Sequence, residues 1–483
     1  MTSGLSEALA EHLLRADGQE DLCFALWRPS SGARRMTALV VSVLLPEHEN
    51  DRSVHGNVEL HDQFLLRALA EATRRKCGLA LFHSHPVPGW QGLSRDDWDT
   101  EAGMAGAVSA ATGLPLVGAT WATDGSCSAR IWRRVAARRY EAEWCEAVRI
   151  VGKRLDVCFD DNQSPPPTFR PELRRTVSAW GPQVQQKLMR LHYGIIGVGS
   201  VGSIVSEALA RMGAQRVSLL DFDSLETVNL DRTLNASACD AARHRSKVDV
   251  AADAFRRHAT ARKVQVDGFE HSVVETAGYK VALDCDILFC CVDRPWPRFI
   301  LNSISFAHLI PVIDGGVLVE TKDEGRRLKR AAWRAHAVLP GRGCLECLDQ
   351  YDPADVALEC EGMLDDPVYI KGLPVDHRLR RNENVFPFAL STASMEILQA
   401  LSILIAPFGV ANIGGQYYDF VSGRTDVSRI ACKDGCPFPT YVALGDAVPI
   451  VPTALHRAAD LARISREKKR RSLLGRLRGL FRR

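Results

Sequence analysis

Several features of common protein classes are scarce in this chain of 483 residues. No run approaches the roughly 18 consecutive apolar residues that a membrane-spanning helix requires, and the first residues lack the apolar core of a secretory signal. The net charge is only +3, without the basic excess typical of nucleic-acid-binding proteins. We therefore expect a cytoplasmic protein that neither spans a membrane nor binds nucleic acid.

Positive charge is concentrated at the C-terminus. Residues 465–483 contain nine Arg or Lys and one acid, Glu467, so the other residues together carry about −5. The segment predicts a basic amphipathic helix, with Leu473, Leu474, Leu477 and Phe481 on one face. Such a helix can lie on an anionic membrane surface or bind an acidic partner, and a solvated tail is the alternative.

Apolar periodicity predicts a small α/β unit at the N-terminus. It indicates helices over residues 5–15 and in HDQFLLRALAEATRRKC, and strands in DLCFALW, MTALVVSVLLP and GLALFHSH. A further helix is predicted over residues 136–155. The fourteen cysteines are expected to be reduced, as core residues, metal ligands or a nucleophile.

A second unit follows a Pro-rich, polar segment typical of a linker. The segment YGIIGVGSVGSIVSEALARMGAQRVSLLDFD reads as strand, glycine turn, helix and strand, and CDILFCCVD and LIPVIDGGVLVE are further apolar strands. This pattern predicts a Rossmann-like, mostly parallel, doubly wound sheet. We divide the chain into residues 1–158, a linker at 159–172, a second domain at 173–440, and a tether and tail at 441–483.

Two histidines and an acid are predicted to meet at the end of the strand GLALFHSH. His83 and His85 are two residues apart, so both imidazoles point to one face of the strand. If Ser94 begins a helix, Asp97 lies on the same side and can supply a third metal ligand. Taken alone, a His-x-His pair is often structural, and Ser94 with Asp97 also fits the capping box of a helix.

The combination of HSHP with LSRDD resembles the JAB/JAMM (MPN) metalloprotease family. The resemblance implies a deubiquitinase-type α/β fold and a catalytic Zn²⁺ held by His83, His85 and Asp97. It also implies that Glu20 is the general base for the attacking water and that Ser94 hydrogen-bonds the oxyanion.

One detail of this motif departs from the family. The loop between His85 and Ser94 is one residue longer than in the commonest form, so counting from His85 selects Asp96, whereas counting from Ser94 selects Asp97. We prefer Asp97, because the serine and the aspartate must share one helical turn while a loop can absorb an insertion.

A nucleotide-type glycine loop opens the second unit. Gly197, Gly199 and Gly202 form G-x-G-x-x-G between a strand and a helix, where backbone amides and the positive helix end face phosphates. Alone, this motif is ordinary in NAD-dependent oxidoreductases. Asp221, at the end of the next strand, could bind ribose hydroxyls in either class of protein.

Residues beyond the second strand favour a nucleoside triphosphate. Asn229, Arg232 and Lys247 are predicted at the phosphate side of the cleft, and a triphosphate needs more cations than a dinucleotide. These segments resemble the ThiF/MoeB-like family, which includes the adenylating domain of ubiquitin-activating enzymes, over roughly residues 170–440. The resemblance implies that ATP binds with its ribose at Asp221 and its phosphates at Arg232 and Lys247.

The same resemblance assigns further roles. Asp293 would coordinate Mg²⁺, and Arg175, or the adjacent Arg174, would reach into the partner subunit's site of a homodimer. Cys360 is a candidate thioester nucleophile by position. Two flanking glutamates raise the pKa of a thiol, so the alternative is that the domain stops at the acyl-adenylate or passes its product to another protein.

Two cysteine pairs, in GCLECL and ACKDGCP, can close a tetrahedral site for a structural Zn²⁺. The ThiF-like family often carries such a site. Its ligands here would be Cys344, Cys347, Cys432 and Cys436. The second pair has three intervening residues instead of the usual two, and buried free thiols are the alternative.

Together, these patterns indicate two enzymes that act on the C-terminus of one ubiquitin-like protein. One would adenylate it with ATP, and the other would trim a precursor or cleave conjugates. Bacterial ubiquitin-like conjugation operons, several linked to phage defence, contain proteins of this arrangement, which implies a conjugating enzyme as a partner. The alternatives are a sulfur carrier as substrate, an NAD-dependent oxidoreductase, and a catalytically silent scaffold.

Overall fold

The computed structural model of this chain describes residues 1–322, 327–374, 377 and 383–480, with side chains described through residue 469. Two large sheets organise the fold, one in the N-terminal part and one in the C-terminal part. The helices of the N-terminal part are α1 (Ser3–Leu13), α2 (Asp62–Arg75) and α3 (Arg95–Thr112). Its strands are β1 (Leu22–Ser31), β2 (Met36–Leu44), β3 (Arg52–His55), β4 (Asn57–Leu60), β5 (Gly78–Ser84), β6 (Leu116–Trp121), β7 (Cys127–Ala136), β8 (Arg139–Trp144), β9 (Ala147–Val151) and β10 (Leu155–Phe159).

The N-terminal sheet has the strand order β2-β1-β5-β6-β7-β8, in which β5 and β6 are parallel. Side chains of β1 alternate between its two faces. Cys23, Ala25 and Trp27 pack in one apolar cluster with α1, and Phe24 and Leu26 pack in another with α2 and α3. The predicted α/β unit is therefore a sheet with helices on both faces.

The C-terminal part surrounds an eight-stranded sheet. Its strands are β11 (His192–Ile196), β12 (Arg216–Leu220), β13 (Gln265–Phe269), β14 (Ile287–Cys290), β15 (Val312–Lys322), β16 (Arg327–Val338), β17 (Gly415–Asp419) and β18 (Arg424–Ser428). Its helices are α4 (Arg174–Trp180), α5 (Pro182–Arg190), α6 (Ser200–Arg211), α7 (Ala238–Ala242), α8 (Lys247–His258), α9 (Thr276–Leu283), α10 (Pro295–Ala307), α11 (Pro353–Cys360), α12 (Pro367–Gly372), α13 (Phe386–Ile405) and α14 (Arg457–Leu480).

The strand order of this sheet is β13-β12-β11-β14-β15-β16-β17-β18. The first five strands are parallel and form the doubly wound, Rossmann-like core, whereas β16, β17 and β18 are antiparallel. The expectation of a mostly parallel sheet is correct for the part that carries the glycine loop. It misses the long hairpin β15–β16, which extends the sheet on the other side.

Two predicted segments differ from the structure. Residues 136–155 form strands β8 and β9 instead of a helix, and the alternating exposure along β8 is that of a strand. Residues 441–464, expected to be a tether, pack on the body of the protein. Ala443 and Val448 are buried, and Asp446 accepts a hydrogen bond from the N–H of Ser31 at 2.9 Å.

One helix, α13, is long and apolar enough to cross a membrane by length and composition, contrary to the sequence expectation. In this structure it packs against α6, β15 and β16. Its buried face includes polar side chains such as Glu396 and Gln399, which is typical of a core helix of a globular domain.

One buried carboxylate, Asp286, connects the two parts of the chain. It accepts hydrogen bonds from Arg35 at 2.7 Å, from Arg149 on β9, and from the backbone N–H of His192 at 2.8 Å. Burial alone would raise the pKa of Asp286, but the two guanidinium groups and the N–H lower it, so the carboxylate is ionised.

Further contacts extend this interface. Asp284 accepts the backbone N–H of Arg34 at 3.1 Å, and Gly32 lies so close that a Cβ there would be 2.0 Å from the Asp284 carboxylate. Ser30 contacts His308 at 2.7 Å. The interface therefore joins the β1–β2 turn to the amino ends of the parallel strands.

We expect Asp286→Ala to lower the free energy of unfolding by about 3–5 kcal/mol, because it leaves two mostly buried guanidinium groups without this counter-charge. Urea denaturation monitored by circular dichroism measures this. Asp267→Ala, which breaks the more exposed Arg34–Asp267 pair, is the control and should cost at most about 1 kcal/mol.

The difference in unfolding free energy between the parent protein and Asp286→Ala should depend on pH. Because the folded pKa of Asp286 lies below its unfolded value, about 3.9, its stabilisation is present above that pH and is lost as the pH falls further. The difference in stability between the parent protein and Asp286→Ala should thus begin to narrow below about pH 4 and continue to narrow as the pH falls toward the lower pKa of the folded state. An equal loss in Asp286→Ala and Asp267→Ala would contradict this account.

Candidate functional sites

His83, His85 and Asp97 come together at the carboxyl end of β5. The two Nε2 atoms are 3.2 Å apart, and Asp97 lies 3.3 Å from His85 Nε2 and 3.7 Å from His83 Nε2. All three ligand atoms lie within 4.8 Å of one another. Two imidazoles and a carboxylate at this spacing fit a zinc ion with an open coordination position.

The protonation of His83 and Asp97 suits metal binding, whereas the hydrogen bond with Asp97 raises the pKa of His85. Burial, with Arg130 nearby, lowers the pKa of His83 to about 3, so its imidazole is neutral. Burial would raise the pKa of Asp97, but hydrogen bonds from His85 and Ser94 lower it, so the carboxylate is ionised. A neutral imidazole and an ionised carboxylate are the forms that bind metals.

The other two predicted residues of this site, Glu20 and Ser94, lie just before β1 and at the start of α3. Glu20 is half-buried just before β1, and burial raises its pKa against the opposing effect of nearby His85. Ser94 is the N-cap of α3, where its hydroxyl donates to Asp97 at 2.6 Å and accepts the N–H of Asp97 at 3.1 Å. Ser94 therefore orients Asp97, and Asp96 is exposed outside the cluster.

A buried ion pair beneath the cluster has no counterpart in the sequence prediction. Arg130 is fully buried and forms a two-pronged pair with Glu101, also fully buried. Arg130 also donates to Thr120 at 2.7 Å, and the Thr120 hydroxyl lies 3.4 Å from His83 Nε2. This network supports His83 from behind, but its members are too far apart in sequence for a local pattern to reveal it.

The second site is a cleft of ≈ 940 Å³ at the carboxyl ends of the parallel strands. Gly197 has φ +87°, and a Cβ there would lie 2.7 Å from the carbonyl oxygen of Cys291. A Cβ at Gly202 would lie 1.9 Å from the oxygen of Gly197, so both positions require glycine. Gly199 faces open space, which leaves its backbone accessible to a phosphate group.

Two acids and a lysine line the centre of this cleft. Asp221 accepts the N–H of Val198 in the glycine loop at 2.7 Å and that of Asp223 at 2.8 Å. Lys247 donates to Asp223 at 2.8 Å, and although burial opposes it, Asp221 and Asp223 raise the pKa of this lysine. Asp223 was not among the predicted residues, although the repeat DFD contains it.

The remaining predicted residues of the nucleotide site lie in the same cleft. Arg232 and Asn229 line it beside Lys247, and Asn229 accepts the N–H of Glu226 at 3.0 Å. Asp293 is exposed within the cleft, where its carboxylate is available to a Mg²⁺ ion bound with the nucleotide.

The four predicted cysteine ligands also converge. Their sulfur atoms lie within 4.8 Å of one another, and the Cys344 and Cys436 sulfurs are 3.7 Å apart. The N–H groups of Cys347 and Lys433 donate to cysteine sulfurs at 3.4 and 3.3 Å. Such N–H donors favour thiolates, so the set fits a closed structural zinc site.

Cys360 and Arg175 lie outside the residues that line the cleft. Cys360 is exposed at the end of α11, and burial of its sulfur with the adjacent Glu359 raises its pKa. A raised pKa leaves little thiolate, so the described residues around this thiol do not activate it. Arg175 is exposed on α4, and its predicted role in a partner subunit stays a prediction.

The C-terminal helix expected from the basic tail is present as α14. The predicted apolar face, Leu473, Leu474, Leu477 and Phe481, lies outside the residues whose side chains are described.

The doubly wound sheet, the glycine loop and the cationic cleft define a nucleotide-binding α/β protein. The model of the ThiF family matches residues 173–437, more than half of the chain. The chain belongs to the ThiF family.

Two relatives and one solved structure are similar to parts of this chain. Ubiquitin-like modifier-activating enzyme 5 of Xenopus laevis is 27% identical over 129 residues, which are 24% of this chain and 32% of that protein. Molybdopterin-synthase adenylyltransferase of Salmonella typhimurium is 28% identical over 176 residues, 34% of this chain and 66% of that protein. The chain thus matches about a third of the first relative and just under two thirds of the second. E. coli MccB crystallised with ATP is 16% identical, with a TM-score of 0.42 over 56% of this chain and 74% of that one.

We expect the purified protein to contain two zinc ions and Cys432→Ser to lose one of them, because three thiolates no longer close the tetrahedron. The variant should also unfold at a lower temperature, since structural zinc contributes to folding. Inductively coupled plasma mass spectrometry and thermal unfolding measure the two effects. Cys239→Ser, an exposed thiol outside the cluster, should change neither, and unaltered zinc in Cys432→Ser would disprove this site.

Proposed function

We propose that the ThiF part of the chain uses ATP to adenylate the C-terminal carboxylate of a ubiquitin-like or sulfur-carrier protein. The observation that carries this proposal is the cleft in which the glycine loop, Arg232 and Lys247 meet. The similarity to an enzyme named as ubiquitin-like modifier-activating and to one named as a molybdopterin-synthase adenylyltransferase supports both kinds of substrate.

The cleft residues match the needs of this reaction. A carboxylate oxygen attacks the α-phosphorus of ATP, an acyl-adenylate forms, and pyrophosphate leaves. Lys247 and Arg232 bind the phosphate charge, and the amides of the glycine loop donate to phosphate oxygens. Asp293 would hold Mg²⁺, which neutralises phosphate charge when bound. An NAD-dependent oxidoreductase has less need for this concentration of cations.

The next step is assigned to a nucleophile from another protein. Cys360 lies outside the cleft lining, and two glutamates flank it. We therefore infer that an external amine or thiol, as in a conjugating enzyme, attacks the acyl-adenylate and releases AMP. This assignment is compatible with a homodimer in which Arg175 serves the partner subunit's cleft.

We further propose that the N-terminal part is a zinc-dependent peptidase or isopeptidase of the JAB/JAMM type. His83, His85 and Asp97 would hold the zinc ion, which activates water and polarises the scissile carbonyl when bound. Glu20 would take the proton of the attacking water and deliver it to the leaving amine. The clustering of the three ligands and the raised pKa of Glu20 support this assignment.

The two proposed sites lie on opposite sides of the interface between the two parts. The metal cluster is beside Leu22, and Ser30 lies at the interface, so eight steps along β1 separate them, roughly 27 Å. The nucleotide cleft lies at the carboxyl ends of strands whose amino ends form the interface. A carrier would leave one site before its C-terminus enters the other. We assign this cycle to a cytoplasmic conjugation system of the kind linked to phage defence.

Incubation of the protein with ATP-Mg²⁺ and candidate ubiquitin-like proteins tests the adenylation proposal. We expect pyrophosphate release that depends on a carrier with a free C-terminal carboxylate. Absence of pyrophosphate with all carriers encoded beside the gene would refute it. A neighbouring sulfurtransferase gene would favour the sulfur-carrier substrate, and a neighbouring conjugating enzyme the ubiquitin-like one.

We expect Lys247→Ala to weaken ATP-Mg²⁺ binding by about tenfold to a hundredfold, because a charged hydrogen bond to phosphate is lost. Isothermal titration calorimetry on the full chain measures this. Lys263→Ala removes an exposed lysine outside the cleft lining and should have no effect. Peptidase activity should be equal in both variants, and its loss in Lys247→Ala would contradict the separation of the two sites.

Two adjacent acids provide a matched test of the metal cluster. We expect Asp97→Asn to lose the zinc ion held by the histidines and to abolish peptide-bond cleavage, because a charged ligand is removed. Asp96→Asn, one residue away and exposed, should retain both. Zinc analysis and cleavage of a ubiquitin-like fusion are the measurements, and the reverse pattern would assign the ligand to Asp96.

A further inference from the structure

The C-terminal helix α14 lies against the nucleotide cleft. Ala458 and Leu461, in its first two turns, line the cleft together with Phe222 and Val273. Ala458 is buried, whereas Leu461 is 47% exposed and presents an apolar side chain to the open space. The helix thus contributes to the wall of the cleft, although it follows the end of the family match at residue 437.

Basic side chains fix α14 to the rim of the cleft. Arg463, Arg466 and Lys469 each form an ion pair with an acid of the ThiF core. Their partners are, in that order, Glu275, Glu270 and Glu226. Arg466 also donates to the carbonyl of Phe222. Because Glu275 is buried, its pairing with Arg463 is less screened by solvent than a surface pair.

The segment before the helix is also part of the fold. Thr453 donates its N–H to the carbonyl of Val274 at 2.9 Å and accepts the N–H of Thr276 at 2.9 Å. His456 is buried, with its ring edge-to-face against Phe222 and Trp296. The entry to α14 is therefore held by backbone pairing and aromatic packing.

The contacts of α14 lie on one side of the cleft. The glycine loop follows β11, Asp221 follows β12, and the next strand outward is β13. In a doubly wound sheet the phosphates bind at the glycine loop and the ribose at the acid of the second strand, so the base extends toward the third. Glu226, Glu270 and Glu275 belong to the loops after β12 and β13. The helix therefore borders the position of the base, away from Lys247.

We propose that α14 completes the base subsite of the nucleotide site, with Leu461 and Ala458 as an apolar wall against the purine. This inference rests on the proposed adenylation function. It means that the chain distinguishes a purine nucleotide from a bare polyphosphate partly through its C-terminal helix. The ion pairs of Arg463 and Arg466 position the wall without contacting the nucleotide.

Calorimetric titration of the full chain with ATP-Mg²⁺ and with tripolyphosphate-Mg²⁺ tests this inference. The double variant Arg463→Glu/Arg466→Glu should weaken ATP binding at least tenfold and leave tripolyphosphate binding unchanged. Leu461→Ser, which removes a half-exposed apolar contact and should not impair folding, should weaken ATP binding about fivefold. Lys468→Glu, a single charge reversal at an exposed position on the same helix, is the control and should bind both ligands as the parent does.

Three results would overturn the inference, and they are distinguishable. Tighter ATP binding in the double variant would mean that α14 obstructs the cleft and opposes ATP binding. Equal losses of affinity for ATP and tripolyphosphate would mean that α14 affects the phosphate subsite. Unchanged ATP binding in both Leu461→Ser and the double variant would mean that α14 does not contribute to nucleotide binding. If the parent protein binds neither ligand, the adenylation proposal itself fails, and this inference fails with it.

Discussion

The buried carboxylate of Asp286 is the contact on which the arrangement of the whole chain depends. It belongs to the nucleotide-binding part, yet two of its partners, Arg35 and Arg149, come from the N-terminal part. Charges that are removed from water need close counter-charges. The Asp286 carboxylate of one part and the Arg35 and Arg149 guanidinium groups of the other therefore become buried together. The requirement for three correctly placed groups makes the interface specific, and it fixes the β1–β2 turn against the amino ends of the parallel strands.

This fixed interface determines how the two sites can cooperate. The proposed metal cluster and the nucleotide cleft lie on opposite sides of it, and within the described part of the chain no ligand of the cluster lines the cleft. A substrate of both proposed activities would therefore meet each site in a separate encounter. Local supports hold each site in place: the Arg130–Glu101 pair beneath His83, and the ion pairs of α14 beside the cleft.

Local patterns predicted the features that depend on neighbouring residues. The strand that carries His83 and His85, the glycine loop and the helix that begins at Lys247 all follow from short segments, because periodicity and turn residues specify them. The helix predicted over residues 136–155 is wrong because the prediction overlooked a two-residue alternation: exposure alternates along β8, which forms a hairpin with β7, and β9 forms a hairpin with β10. The position of α14 beside the cleft could not be predicted, since the acidic partners of Arg463, Arg466 and Lys469 are 188, 196 and 243 residues distant in sequence.

The central claim is that this ThiF-family chain activates a carrier protein at its C-terminal carboxylate. Hydroxylamine intercepts an acyl-adenylate as a stable hydroxamate, so intact-mass and fragment-ion mass spectrometry of the carrier, after incubation with the protein, ATP-Mg²⁺ and hydroxylamine, tests the claim most directly. The account predicts a hydroxamate on the terminal carboxylate of the carrier, formed only with ATP. An unmodified carrier terminus, in the presence of a protein that binds ATP and releases pyrophosphate, would contradict it.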